Sequence, residues 1–425
     1  MLRRHAKQVV LSFTSLVLAA SCSDADLEGS GGPTEDVEDE AASDTESDAG
    51  PSDEACVGAG GDFGILATHS LSGELSGAEG RLSAPGLILG PDGLWASLVA
   101  AEGTDASGPV GVEMLLAHDG AVLQPTDLVD GRWAGGMWWP GVTGAVVSQC
   151  EDRVPGWTFV GPLGVPLSPR DDPGEASACG QPPSAAWVSE SSALLAWLDT
   201  DVRCETGPSC VRVTRANSQG HGPIYDLFDG GDSGPGNSVS VAAGAESAMV
   251  AMLRLEEQVE LVTQPLDLEG NPTAAPTVAV LPPSPEPGES AVFLEARVVA
   301  EQDGSFHVYV GGWGFSMGRM HVAADGEPLE PVTALPPVVG LNVWGVYNSE
   351  LRGVYPRPGG WVAVGQAVMG GQVLTLLCAL SYEGELVGHV VLPRYDVAVV
   401  ADAERLWALG VSGGVDLYEL GCVPP

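Results

Sequence analysis

Seven short apolar runs recur along this chain at nearly even spacing. They are Leu94-Trp95-Ala96-Ser97-Leu98, Gly144-Ala145-Val146-Val147-Ser148, Ala193-Leu194-Leu195-Ala196-Trp197, Ala248-Met249-Val250-Ala251-Met252, Phe306-His307-Val308-Tyr309-Val310, Trp361-Val362-Ala363-Val364-Gly365 and Leu406-Trp407-Ala408-Leu409-Gly410. Their starts lie 45 to 58 residues apart. A run of this length bounded by turns is too short for a helix and reads as a strand buried on both faces. A period near 50 residues means one supersecondary unit stacked on copies of itself, which leaves few architectures open.

The turns around the runs fill in the unit. Asp92-Gly93, Asp303-Gly304 and Pro358-Gly359-Gly360 precede runs. His118-Asp119-Gly120, Leu268-Glu269-Gly270, Ala324-Asp325-Gly326 and Tyr382-Glu383-Gly384 follow a later, more exposed strand. A glycine after an acid supplies the positive φ of a tight hairpin. Some units close with proline, as at Leu335-Pro336-Pro337 and Leu392-Pro393. Four hairpin-joined strands per unit make one blade, so the expected fold is all-β, a seven-bladed propeller. The last unit holds three strands, Asp396–Val400, Leu406–Val411 and Gly414–Tyr418, while Gly64–His69 has no unit of its own. An N-terminal strand completing the last blade would close the ring and remove the sheet edges. Residues 64–79 read as two strands where closure needs one. Tandem β-sandwiches are the alternative, because they carry turn signals at similar spacing. With 58 Gly and 33 Pro spread evenly, long helices are excluded.

The N-terminus is an address. Arg3, Arg4 and Lys7 precede a mostly apolar run from Val9 to Ala20, which ends in Ala19-Ala20-Ser21-Cys22. The apolar run is shorter than the ~20 residues a helix needs to span a bilayer, so it reads as a cleaved secretory signal. It resembles the lipobox of bacterial lipoproteins, in which the cysteine is lipidated and becomes the mature N-terminus. Here Ala19 stands where that family favours leucine. The resemblance implies a signal over 1–21, lipidation at Cys22 and, with Ser23 in place of a retaining aspartate, delivery to the outer membrane. Acyl chains on one cysteine hold to a bilayer by about 0.8 kcal/mol per buried methylene. Residues 23–55 carry 13 acids and no Lys or Arg, a composition that predicts a disordered, extended tether. The propeller domain then covers 56–425.

Charge narrows the partners. The whole chain has 57 acids, 17 bases and a net charge of −40. Removing signal and tether leaves 44 acids against 14 bases, which excludes nucleic acid, since binding it requires clustered Lys and Arg. The single lysine, Lys7, and the acidic tether together resemble the composition of large myxobacterial lipoproteins. Cysteines beyond Cys22 fit an oxidising compartment. Cys204 with Cys210 would staple a hairpin tip; Cys56 with Cys422 and Cys150 with Cys179 are further pairings, though spacing cannot establish them. Cys378, in an apolar strand, reads as a buried free thiol.

Candidate chemistry is sparse. Gly314-Phe315-Ser316-Met317-Gly318 matches a nucleophile elbow with His321 nearby, yet a strand follows where that motif needs a helix. Asp226, Asp229 and Asp232 on a glycine-rich loop could offer oxygens to calcium, against the plainer reading of a solvated turn. Among Trp133, Met137, Trp138, Trp139 and Trp157, exposed Trp138 and Trp139 would suit a partner surface, while burial would make them filler between blades. His69, His118, His221, His307, His321 and His389 form no ligand-spaced pair. No other cofactor motif is present. These readings converge on a lipid-anchored envelope protein. It would be a non-catalytic scaffold for a protein or glycan. The rival is a hydrolase or lyase with its site in the central channel, since a fold alone does not decide function.

Overall fold

The protein divides into two units, Met1–Gly50 and Pro51–Pro425, and the fold is that of the second. A computed structural model describes residues 62–423 apart from short breaks and the segments 72–81, 101–109, 139–144, 161–166, 232–238, 282–293 and 335–350. Cys22, the tether and Cys56 lie outside the described residues.

Among the described residues there is no helix, and 28 strands form seven antiparallel sheets. β1 (Asp62–Ser70) pairs with none of its chain neighbours. β2 (Leu82–Gly90), β3 (Gly93–Ala100), β4 (Val110–Leu116) and β5 (Val122–Gln124) form one sheet, with β6 (Leu128–Asp130) also on β4. β7 (Ala134–Trp138), β8 (Ala145–Glu151) and β9 (Val154–Val160) form the next. Four-stranded sheets follow: β10 (Ser184–Ser189), β11 (Ser192–Asp199), β12 (Cys210–Asn217) and β13 (Gly220–Asp229); then β14 (Val239–Ala243), β15 (Ala248–Leu255), β16 (Val259–Leu266) and β17 (Thr277–Val280). They continue with β18 (Leu294–Ala300), β19 (Phe306–Gly312), β20 (Phe315–Val322) and β21 (Pro328–Ala334), then β22 (Leu351–Arg357), β23 (Gly360–Met369), β24 (Gln372–Ser381) and β25 (Leu386–Leu392). The last sheet joins β26 (Asp396–Ala401), β27 (Leu406–Val411) and β28 (Val415–Val423) to β1 as its fourth strand.

The seven recurring runs are β3, β8, β11, β15, β19, β23 and β27, the second strand of every sheet. On β11, β15, β19, β23 and β27 the buried residues face neighbouring sheets on both sides. On β15, Ala248, Val250 and Met252 pack toward the β10–β13 sheet, whereas Met249, Ala251 and Leu253 pack toward the β18–β21 sheet. A two-layer sandwich would give each sheet one such partner, so tandem sandwiches do not describe this chain. The leading strands also touch in succession: β2 with β7, β7 with β10, β10 with β14, β14 with β18, β18 with β22, β22 with β26, and β26 with β2. Each leading strand is a sheet edge whose outward N–H groups need partners. Serines from the preceding sheet supply two of them: Ser184 Oγ accepts from Val241 N at 3.2 Å and Ser240 Oγ from Val298 N at 3.0 Å.

The acid-glycine turns recur with one geometry. In Ala117–Ala121, Asp267–Asn271, Glu301–Ser305 and Ala323–Glu327, the first residue's N–H binds the fifth's carbonyl and the glycine's N–H binds the first's carbonyl. The glycine φ values are 78°, 92°, 87° and 90°, the left-handed step that ends a type I turn in a bulge. Three of the four glycines also seat on a neighbouring sheet. A Cβ added at Gly120 would come within 2.5 Å of His69 on β1, at Gly270 within 3.2 Å of Leu194 on β11, and at Gly326 within 3.0 Å of Pro265 on β16.

One detail differs from the sequence expectation, in the β7–β9 sheet. Of the stretch expected to give two strands over 64–79, the described residues through Ser70 belong to β1, and 72–81 lie outside the described residues. β1 runs antiparallel to β28 from Asp62 opposite Val423 to Ser70 opposite Asp416. The β7–β9 sheet has three strands, because the fourth position is taken by an irregular segment. There Leu167 N donates to Phe159 O at 2.7 Å, and Trp157 and Asp171 exchange backbone bonds of 3.0 and 2.9 Å.

Candidate functional site

The plainest concentration of titratable groups lies where the β18–β21 sheet faces the β22–β25 sheet. On β19, His307 and Tyr309 stand at positions equivalent to Met249 and Ala251 on β15, each counted from the start of its apolar run. Across the hairpin His307 pairs with His321 and Tyr309 with Arg319. Tyr309 belongs to an apolar cluster with Val299, Val354, Trp361, Ala363, Leu376, Cys378 and Leu380. The two imidazoles meet edge to face, with centroids 4.5 Å apart. On leading strand β18, Arg297 Nη2 reaches Glu295 Oε2 at 3.2 Å. Those two charges act on the Tyr355 phenol of β22, although burial is the main influence raising its pKa.

Burial, then the positive charges of Arg319 and His321, push His307 down to about 4. It is therefore neutral at pH 7, and the 3.4 Å approach of its Nδ1 to Glu301 Oε1 is not an ion pair there. Burial likewise raises the Tyr309 phenol and the Cys378 thiol, keeping both protonated.

Beside the imidazoles lies a serine between an aspartate and a histidine. Ser305 Oγ donates to Asp303 Oδ1 at 2.6 Å, and His321 Nε2 lies 2.8 Å from the same hydroxyl. A carboxylate can only accept, so the serine's one hydrogen points at Asp303 and His321 Nε2 must carry the donated proton. An activated serine nucleophile needs the opposite polarity, with histidine accepting from the hydroxyl. Ser305 N donates to Asp303 as well, at 2.9 Å, and these bonds hold the exposed carboxyl below its usual range. The relay fixes a turn.

A second polar cluster has the character of a staple. Asp199, fully buried, accepts from Ser177 Oγ and from Arg212 Nη1 at 3.0 Å, while Trp197 Nε1 donates to Ser177 Oγ at 3.1 Å. Arg212 Nε closes on Asp226 Oδ1 at 2.8 Å. The Cys204–Cys210 disulfide, Cα to Cα 5.0 Å, ties the adjacent loop.

The residues singled out from sequence fare unequally. Asp226 is engaged by Arg212, and Asp229 Oδ1 accepts from Gly231 N at 2.8 Å; Asp232 lies outside the described residues. Among the described residues no three His, Cys, Asp or Glu side chains gather as metal ligands. Cys179 and Cys422 are disulfide-bonded, and Cys378 is free and buried. The backbone of Cys150 is on β8, but its side chain and Cys56 lie outside the described residues. Trp157 is core, 6.1 Å from Trp197. Trp138 ends β7 with its side chain outside the described residues, as is all of Trp139. Ser316 of the elbow-like motif sits within strand β20, with no helix after it, and His321 turns to Ser305 instead. The histidines form no ligand-spaced pair in the sequence, yet His307 and His321 are direct cross-strand partners. The available signal was their equal distance, seven residues each, from Gly314 in the glycine-rich stretch between the two strands.

No known protein family matches the chain, and no curated protein matches it. Solved structures do. Virginiamycin B lyase from Staphylococcus aureus is 10% identical, with TM-score 0.45, covering 84% of this chain and 99% of its own. The β-propeller domain of Cps50 (Swd1) from Myceliophteria thermophila is also 10% identical, with TM-score 0.48 and coverage of 84% and 100%. BBS1N, solved in complex with ARL6DN, is 12% identical, with TM-score 0.48 and coverage of 85% and 97%. Such likeness concerns the fold, and it transfers no residue and no activity.

Proposed function

We propose that this protein is a seven-bladed propeller, closed by β1, that serves as a lipid-anchored, non-catalytic binding scaffold in the cell envelope. The observation that carries the ring is the turn at Gly120. The equivalent turns at Gly270 and Gly326 seat on the sheet that precedes theirs in the chain. The turn of the first sheet seats on His69 of β1, in the sheet of the chain's last strands. The contact of β26 with β2 supports the same closure. The lipobox-like Ala19-Ala20-Ser21-Cys22 and the acidic stretch over 23–55 support an envelope location, as do the disulfides. The scaffold reading is supported by the commitment of the polar side chains. Ser305 gives its hydrogen to Asp303, and Arg212 is spent on Asp199 and Asp226. The partner is an envelope protein or a glycan, and Trp138 and Trp139 are the proposed contacts.

The test is cross-linking of the anchored protein in intact cells, followed by mass spectrometry of what is captured. One stoichiometric envelope partner, lost in a Trp138→Ala/Trp139→Ala variant, is the expected result. A protein captured alone, and retaining no glycan, would overturn the scaffold reading. Membrane fractionation of Cys22→Ser checks the anchor: the variant should leave the membrane pellet.

A further inference from the structure

We propose that the contact between the β18–β21 and β22–β25 sheets is an acid-operated joint, in which protonation of His307 loosens the Glu301–Ser305 turn and parts the two sheet faces. The geometry supplies both halves of such a device. His307 is 5% exposed and lies on the β19 face that meets β22, beside Tyr309 and 4.5 Å from the His321 ring. The groups around it are unevenly arranged. From the turn come Glu301, with Oε1 3.4 Å from Nδ1, and Asp303, which is exposed and already bonded to Ser305. From β20 come Arg319 and His321, and from β21 comes Glu330, which is 3.5 Å from Arg319. From β18, on the same face as Val299, come Arg297 and Glu295, 3.2 Å apart, and on the opposing sheet the titratable groups with described side chains are Tyr355, Arg357, the Cys378 thiol, Glu385 and His389.

A proton on His307 therefore puts a cation opposite His321 and near Arg319, on a face with Val299, Tyr309, Val354 and Trp361. Glu301 offsets part of this only by moving closer. The cheaper relief is to hydrate the imidazolium by opening the joint, since water screens like charges that the packed face does not. The neighbouring contact between the β14–β17 and β18–β21 sheets, built from Met249, Ala251, Leu253, Phe306, Val308 and Val310, has no such group in its apolar cluster among the described residues and stays shut.

The experiment is amide hydrogen exchange by mass spectrometry on the full-length protein at pH 7.5 and 4.5, with protection corrected for intrinsic rates. Protection in 301–310 and 354–364 should fall reversibly, by on the order of 10- to 100-fold as linkage to one proton predicts, while 248–253 keeps its protection. In His307→Met, which copies Met249, the acid response should vanish; His307→Asn serves if that variant does not fold. Equal loss of protection in both contacts, no loss in either, or an unchanged response in the variant would each overturn the proposal.

Discussion

The two faces of the β18–β21 sheet are built to one plan from different chemistry. Toward the β14–β17 sheet, Phe306, Val308 and Val310 meet Met249, Ala251 and Leu253, and every one of these side chains is buried. Toward the β22–β25 sheet, the alternate residues of the same strand are His307 and Tyr309, backed by Arg319 and His321. A strand's side chains alternate between faces, so a single run of five residues can give one dry contact and one titratable contact. A repeat can thus hold its geometry while varying what it buries. The dry contact depends on shape and area; the polar one depends on protonation and on the relay that fixes its turn.

The largest way to break the comparison is at the dry face. Phe306→Ala should cost about 3–5 kcal/mol of stability by urea denaturation, the usual cost of removing a fully buried aromatic. Next comes acid. His307 is held near 4 when folded and returns to about 6.5 when unfolded, so the unfolded chain takes up the proton first as pH falls. Stability present above about pH 6.5 is thus lost progressively down to about pH 4, by about 3 kcal/mol in all. Urea midpoints across that window should show the loss, and His307→Met should flatten its share of the curve. Gly326→Ala tests the turn beside the dry face: a side chain at its left-handed φ, crowded by Pro265, should cost about 1–2 kcal/mol. The smallest effect is expected for Ser305→Ala, about 1 kcal/mol from the lost hydrogen bonds to Asp303 and His321. Asp303 should then titrate closer to an ordinary carboxyl, which carbon-detected NMR would follow.

Much of the fold could be read directly from the residues. The seven apolar runs are the second strands of seven sheets, and where both faces of that strand are described it is buried on both, which a short apolar run satisfies. Gly120, Gly270, Gly304 and Gly326 announced their turns because the left-handed step is cheap only for glycine. The Cys204–Cys210 bridge was legible because a six-residue separation leaves little choice of partner. The candidate site was far less visible. His307 and His321 are 14 residues apart, and their meeting depends on the register of the β19–β20 hairpin. The direction of the Ser305 hydrogen bond is likewise no property of composition; it follows from which acceptor the turn presents.

An all-β repeat with an acidic, cysteine-bearing composition could be read from the residues, because period, turn chemistry and charge are local properties. Tertiary structure alone decided that β1 joins β28, that Asp226 belongs to Arg212, and that two histidines share one buried face. Those outcomes rest on which sheets lie side by side and in what register. Contacts between residues distant in sequence are set by packing the whole chain at once.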